Sequence, residues 1–187
     1  MDEIVDTSSA ILASAALLLR HHTFDDVSYL ELAEATGVSE RTIYRRFPTR
    51  SHLLEALARW IEAEHFPVPE FRTVPEFRDT VRARFRAYDA EPAFAVVAAR
   101  GGALSPTGDE SPAQITEAIV AMIDAVAPGL NRRDARRAAA SLRYFASPTF
   151  WARMRTGFDM SADETFGVFD LAVRRVLPAA AEADRAA

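Results

Sequence analysis

The chain has no cysteine and no lysine, and only 7 glycines in 187 residues. Without a thiol there is no disulfide, no thiolate nucleophile and no cysteine-based zinc site. Apolar runs such as Ala15 to Leu19 fall far short of the roughly 20 residues that a membrane-spanning helix needs. No alternating apolar/polar stretch of strand length stands out. The N-terminus, Met1-Asp2-Glu3, is acidic and unlike the basic start of a signal peptide, so a cytoplasmic protein with no membrane partner is expected. His21, His22, His52 and His65 are too scattered for a metal site. No P-loop, dinucleotide motif or nucleophile triad is present. Neither a metal, a cofactor nor an enzymatic activity is therefore expected.

What is present is a chain of ordinary globular balance, 49% hydrophobic and 26% charged, with a formal net charge of −5. Taken alone, an acidic total argues against a nucleic-acid partner. The distribution says otherwise. Residues 1–66 hold 6 Arg against 11 acids, net −5, while residues 67–187 hold 16 of each. Yet the ten residues Arg41 to Arg50 (RTIYRRFPTR) contain four Arg and no acid. Local potential governs binding, because charges more than about 10 Å away are largely screened at 0.1 M salt.

The apolar pattern is helical throughout and predicts an all-α fold of about nine helices. The first runs from Ser8 to His22, with Ile11, Leu12, Ala15, Leu18 and Leu19 on one face. Ser28 and Glu31 have capping-box spacing and open a short helix to Thr36. Gly37 suits the sharp turn that follows. Ser39 caps a third helix ended by Pro48, and Thr49 caps a fourth to Glu64. After Pro67 and Pro69, Thr73 and Glu76 open a helix striped with Phe77, Val81, Phe85 and Tyr88. A short helix spans Pro92 to Arg100, and Gly101 to Glu110 reads as a loop. Ser111 opens a helix with Ile115, Ile119, Met122, Ile123 and Val126 on one face. Asn131 caps the next, which Ser147-Pro148 breaks or kinks before it resumes toward Thr156. Ser161 and Glu164 open the last, to Leu177, and an Ala-rich tail follows from Pro178. Residues 1–48 form a head and residues 49–187 a helical body, with the helix over 49–64 as connector.

Function concentrates in the head. Two short helices joined by a glycine turn have helix-turn-helix spacing. Leu32, Ala33, Val38, Ile43 and Phe47 are placed as the small core beneath. Ser39, Glu40, Arg41, Thr42, Tyr44, Arg45 and Arg46 remain for the outer surface, with Ser28 at the start of the preceding helix. Arg41 and Arg45, four apart, share a face. Such a helix fits the DNA major groove, where Arg bonds guanine O6 and N7 as a fork. The Tyr44 hydroxyl suits a phosphate oxygen. Arg50 stands at a helix start, where unpaired N–H groups favour an anion.

Residues 11–54 resemble the DNA-binding domain of the TetR family of bacterial transcriptional regulators. The resemblance rests on Ile11-Leu12, Ala15, Leu18-Leu19, Phe24, Leu32-Ala33, Gly37-Val38-Ser39, Ile43-Tyr44, Phe47, Thr49-Arg50 and Leu53, without a gap. Three departures stand out. Thr23 replaces the usual glycine before the aromatic, Arg50 replaces the usual lysine, and Arg41 stands where a small residue is frequent. The short acidic N-terminus offers no basic arm for the minor groove. The resemblance implies a homodimeric regulator, most often a repressor, that binds a near-palindromic double-stranded operator and is released by a small-molecule effector.

In the body, the last helix is apolar on two sides, which suggests a partner subunit. One stripe is Phe166, Phe169, Val173 and Leu177, and the other is Val168, Leu171 and Ala172. The family's paired terminal helices imply a dimer interface at Leu142, Phe145, Trp151, Phe166, Phe169, Val173 and Leu177. Trp60, Phe77, Phe85, Tyr88, Phe94 and Met122 are candidates to line an effector pocket. The cluster Arg132, Arg133, Arg136 and Arg137 is expected to pair with Asp134 or other acids rather than to bind nucleic acid. Two other readings remain open: an activator or ligand-independent regulator of the same fold, and a helical binding protein or enzyme that does not bind DNA.

Overall fold

The computed structural model describes residues 2–101 and 114–177, with side chains from Thr7 onward. Among these residues there are ten helices and no strand: α1 (Asp2–Leu18), α2 (Tyr29–Thr36), α3 (Glu40–Arg46), α4 (Arg50–Glu64), α5 (Val74–Ala90), α6 (Pro92–Gly101), α7 (Gln114–Val126), α8 (Arg132–Phe145), α9 (Pro148–Phe158) and α10 (Ala162–Val176). The all-α reading holds. The tenth helix arises because Ser147-Pro148 is a full break, the first of the two alternatives. Ser147 is extended and its Oγ accepts from Phe150 N at 3.1 Å, with Pro148 in the first turn of α9. The first helix begins earlier than its pattern suggests and ends at Leu18. There Arg20 N and His21 N bond three residues back, at 3.2 and 3.0 Å, which tightens the turn and ends the α-helix. The expected loop beyond Gly101, the Ser111 cap and the tail from Pro178 lie outside the described residues. No helix among the described residues is long and apolar enough to cross a membrane.

Two compact units emerge, and they cut the chain differently from a head at residue 48. The first holds α1 to α4 together with α6; the second holds α5 and α7 to α10. In the first, Ile11, Leu12, Ala15 and Leu19 of α1 are buried, as are Leu53, Leu57 and Ile61 of α4. α4 lies along α6, and their backbones meet closely at Gly101. A Cβ there would stand 2.3 Å from Ala58 Cβ and 2.8 Å from the Leu54 carbonyl oxygen. His65 ends α4 and holds Glu91 at 3.2 Å, its ring edge-on to Phe94 at 4.4 Å.

In the second unit α10 packs against α5 and α8. Phe77, Phe85 and Tyr88 come off α5 at helical spacing and are fully buried. Phe77 meets Phe169 edge-on at 5.4 Å, Phe85 lies 6.2 Å from both Phe150 and Phe169, and Tyr88 lies 5.5 Å from Trp151. Such pairs are each worth about 0.5–1.5 kcal/mol beyond the area they bury. Polar groups fix the register. Asp89 accepts from Trp151 Nε1 at 2.8 Å and from Ala162 N at 2.9 Å, satisfying one of the free N–H groups at the start of α10. Arg78 pairs with Asp170 at 2.7 Å, and Arg174 holds the same carboxylate at 2.9 Å.

The residues expected at a dimer surface have the following places in the chain. Leu142, Trp151, Phe166, Phe169, Val173 and Leu177 are buried inside a single chain, and Phe145 is half-buried. α5 and α8 cover that stripe of α10 within the chain. On the outer sides of α10 and α8, Leu171 is 65% exposed and Tyr144 53% exposed.

The two glycine environments make opposite predictions. Gly101→Ala forces a methyl into α4 and should lower the denaturant midpoint by the equivalent of about 1–3 kcal/mol. Gly157→Ala in α9 meets nothing within 4 Å and should raise stability by about 0.5–1 kcal/mol through helix propensity. Chemical unfolding of both variants checks this.

Candidate nucleic-acid interface

The helix-turn-helix is shaped by its caps. Ser28 Oγ accepts from Glu31 N at 3.1 Å, and the Glu31 carboxylate accepts from Ser28 N at 2.8 Å, completing the capping box. These bonds hold the Glu31 carboxyl below its ordinary value, the Ser28 backbone N–H contributing most. α2 ends on Gly37 at φ +72°, whose N–H donates to Ala33 O at 2.9 Å. A left-handed residue here is what glycine provides at least cost. Ser39 then caps α3, its Oγ accepting from Thr42 N at 3.3 Å. Leu32, Ile43 and Phe47 are buried beneath, with Ala33 and Val38 half-buried at the edge.

Tyr29 anchors the second helix of the pair. Its hydroxyl is buried and donates to Phe47 O at 2.8 Å, closing the C-terminal end of α3. Its ring stands edge-on to Tyr44 at 4.6 Å. Burial pushes the Tyr29 phenol pKa up. With its base fixed, α3 exposes Glu40, Arg41, Tyr44 and Arg45 to solvent, and Thr42 and Arg46 partly. Among the described residues no carboxylate pairs with Arg41, Arg45 or Arg46. Ser28, Ser39 and Thr42 spend their hydroxyls on caps, Ser39 and Thr42 facing each other at 3.0 Å. A cavity of about 280 Å³ opens beside Tyr44 and the start of α4, lined by Tyr29, Tyr44, Pro48, Thr49 and Arg50.

Arg50 sits differently from the expected anion contact. Its guanidinium forks onto the carbonyl oxygens of Val27 and Phe24 and lies over the Phe24 ring at 4.5 Å. Arg100, in the last turn of α6, reaches the same turn. It holds both Asp25 oxygens, at 3.0 and 2.9 Å, 5.7 Å from the Phe24 ring centre. Its hydrogen bonds to Asp25 hold that carboxyl below the ordinary aspartate value. The Arg100 contact spans 75 residues, and nothing in local spacing announces it. Tyr29 was equally silent, since its role depends on Phe47 being folded back over it.

The pocket candidates separate. Trp60 and Phe94 flank His65 in the first unit, at 5.7 and 4.4 Å. Phe77, Phe85, Tyr88 and Met122 are core residues of the second. None of the six lines the open cavity between α7 and α8. His52 bonds the Thr49 cap at 2.7 Å. Among the described residues no group of three or more His, Asp or Glu is placed to hold a metal. Of the second basic cluster, Arg133 and Arg137 reach Asp134 at 3.8 and 3.4 Å. Arg132 and Arg136 do not, and line that cavity instead.

Arg50→Ala should destabilise the head by about 1.5–3 kcal/mol, because two carbonyls lose a charged donor. Arg50→Lys should recover little of this, since an ammonium cannot fork. Thermal unfolding measures both. Asp25→Asn gives a pH signature. A carboxyl lowered in the folded state adds stability above its unfolded value, near 3.9, and loses it as pH falls through the folded value. The stability gap between wild type and Asp25→Asn should therefore be open at pH 7 and close on acidification below about 4.

Residues 11–57 match the family model described as bacterial regulatory proteins, tetR family. No curated protein sequence matches the chain. Among solved structures, a TetR transcriptional regulator from Rhodococcus sp. RHA1 is similar at 18% identity, with a TM-score of 0.66 over 92% of this chain and 97% of that one. Residues 11–57 are thus similar to the TetR family of bacterial regulatory proteins, and the chain has a fold similar to that of the Rhodococcus regulator.

Proposed function

We propose that the protein is a homodimeric transcriptional repressor, acting in the cytoplasm and without catalysis, that binds a near-palindromic operator and is released by a small molecule. The observation that carries this reading is the exposed pair Arg41 and Arg45, one turn apart on α3 and unpaired among the described residues, above a head closed by Tyr29. In the proposed complex α3 enters the major groove. Arg41 and Arg45 meet base edges, and Tyr44 meets a phosphate beside the N-terminus of α4. Arg50 serves the head's shape rather than the DNA. Two heads would sit about one helical turn apart, roughly 34 Å, or somewhat more.

The dimer supplies that spacing. The proposed surface is the outer side of α8 and α10 around Tyr144 and Leu171, where large apolar side chains face water. The effector acts by binding the released arrangement better than the DNA-bound one, since only differential affinity shifts an equilibrium. The acidic remainder of the N-terminal region limits attraction to random phosphate. Specificity then rests on a few arginine contacts.

Selection of bound genomic DNA at moderate salt tests the reading. A palindromic site with a shallow salt dependence supports it, and no enrichment, or equally tight binding to random duplex, overturns it. Arg45→Ala should cost roughly 1–3 kcal/mol and relax preference at one base pair. Leu171→Glu should yield monomers of unchanged helicity in sedimentation, with weakened operator binding.

A further inference from the structure

The second unit has a groove that the DNA-binding reading leaves unused. α7 and α8 lie side by side and leave a cavity of about 1070 Å³ between them, open to solvent. Its floor is apolar. Ile123 and Ala139 are buried at its base, while Val120 and Leu130 keep 44% and 40% of their surface in water. Its α8 wall is cationic. Arg132, Arg136 and Arg143 follow at spacings of four and seven, which puts them in one stripe along the helix. Among the described residues none of the three has an ion-pair or hydrogen-bond partner. Arg133 also borders the groove, and among the described residues Asp124 is the one carboxylate that lines it.

This arrangement goes against local preference. Two of the unpaired cations stand in the first two turns of α8, at the positive end of the helix dipole, where positive charge is unfavourable. Choices that break a local rule without compensation are expected at functional sites. A hydrophilic anion would leave Val120 and Leu130 wet. A neutral apolar molecule would desolvate guanidinium groups and pair none of them. A molecule with both halves satisfies both walls. The α7 side runs from Thr116 to Asp124, about 12 Å at 1.5 Å per residue, roughly the length of a ten-carbon chain. A protein partner generally needs about 800 Å² per side, more than such a groove supplies.

We propose that the α7–α8 groove is a binding site for an anionic amphiphile. The apolar chain lies over Val120, Ile123 and Leu130, and a carboxylate or phosphate head is held by Arg132, Arg136 and Arg143. The site stands on these residues alone and does not depend on operator binding.

Calorimetric titration of the full chain, without DNA, tests it. The probes are decanoate and decyl phosphate below their micellar concentrations, with decanol and inorganic phosphate for comparison. Saturable binding of one or both anions, with decanol and phosphate at least about tenfold weaker, is the expected result. Relative strength of the two anions identifies the head group. The double variant Arg136→Gln/Arg143→Gln should weaken binding by about tenfold or more, as should Val120→Asp. Arg137→Gln, whose side chain pairs with Asp134, should leave it unchanged. Circular dichroism establishes that each variant is folded. No binding, equal binding of decanol, or full binding by the folded double variant would overturn the proposal. Loss of self-association in that double variant without loss of amphiphile binding would also overturn it and assign the groove to a second copy of the chain.

Discussion

The head is organised around one turn, Phe24 to Val27, gripped by two guanidinium groups. Arg50 opens α4 and binds its carbonyls; Arg100 closes α6 and binds its carboxylate. Both lie near the Phe24 ring. The turn joins α1 to α2, and α2 carries Tyr29, which fixes the end of α3. The direction in which Arg41 and Arg45 project therefore rests on a contact made two helices away. Arginine is suited to this because a planar fork satisfies two acceptors at once and stacks on an aromatic face.

Much of the local structure was legible in the sequence. Ser28, Ser39, Thr49, Asn131 and Ser161 cap helices as their spacing predicts, because capping is a contact within four residues. The stripe Phe77, Val81, Phe85 and Tyr88 is buried as its period requires. What was not legible shares a cause. A single sequence shows two apolar stripes on α10 but not which neighbour covers which face. Val168, Leu171 and Ala172 had been recognised as a second stripe, but only packing against α5 and α8 reveals which stripe is outermost. The setting of Arg50 is hidden for the same reason. Its position at a helix start is a local fact, and its engagement with Phe24 is a tertiary one.

Charge also reads differently once placed. The window from Arg41 to Arg50 is uniformly basic as text. In three dimensions it divides into exposed groups on α3 and one that is built into the head. The cluster at the start of α8 divides similarly: Arg137 meets Asp134, Arg132 and Arg136 face the groove, and Arg133 does both. A basic run is thus a poor unit of interpretation. The useful unit is the single guanidinium and whatever it already holds.

The close approach at Gly101 has a mechanical consequence. Small displacements between packed helices are usually absorbed by side chains changing rotamer, which makes the contact compliant. At Gly101 there is no side chain on α6, and on α4 the facing atoms are a methyl and a backbone carbonyl. Nothing there can rotate out of the way. The joint is stiff in compression, and the neighbouring residue is Arg100, the one that holds Asp25. Any push along the end of α6 therefore reaches α4 and the Phe24 turn together, as a movement of backbone with little loss in between.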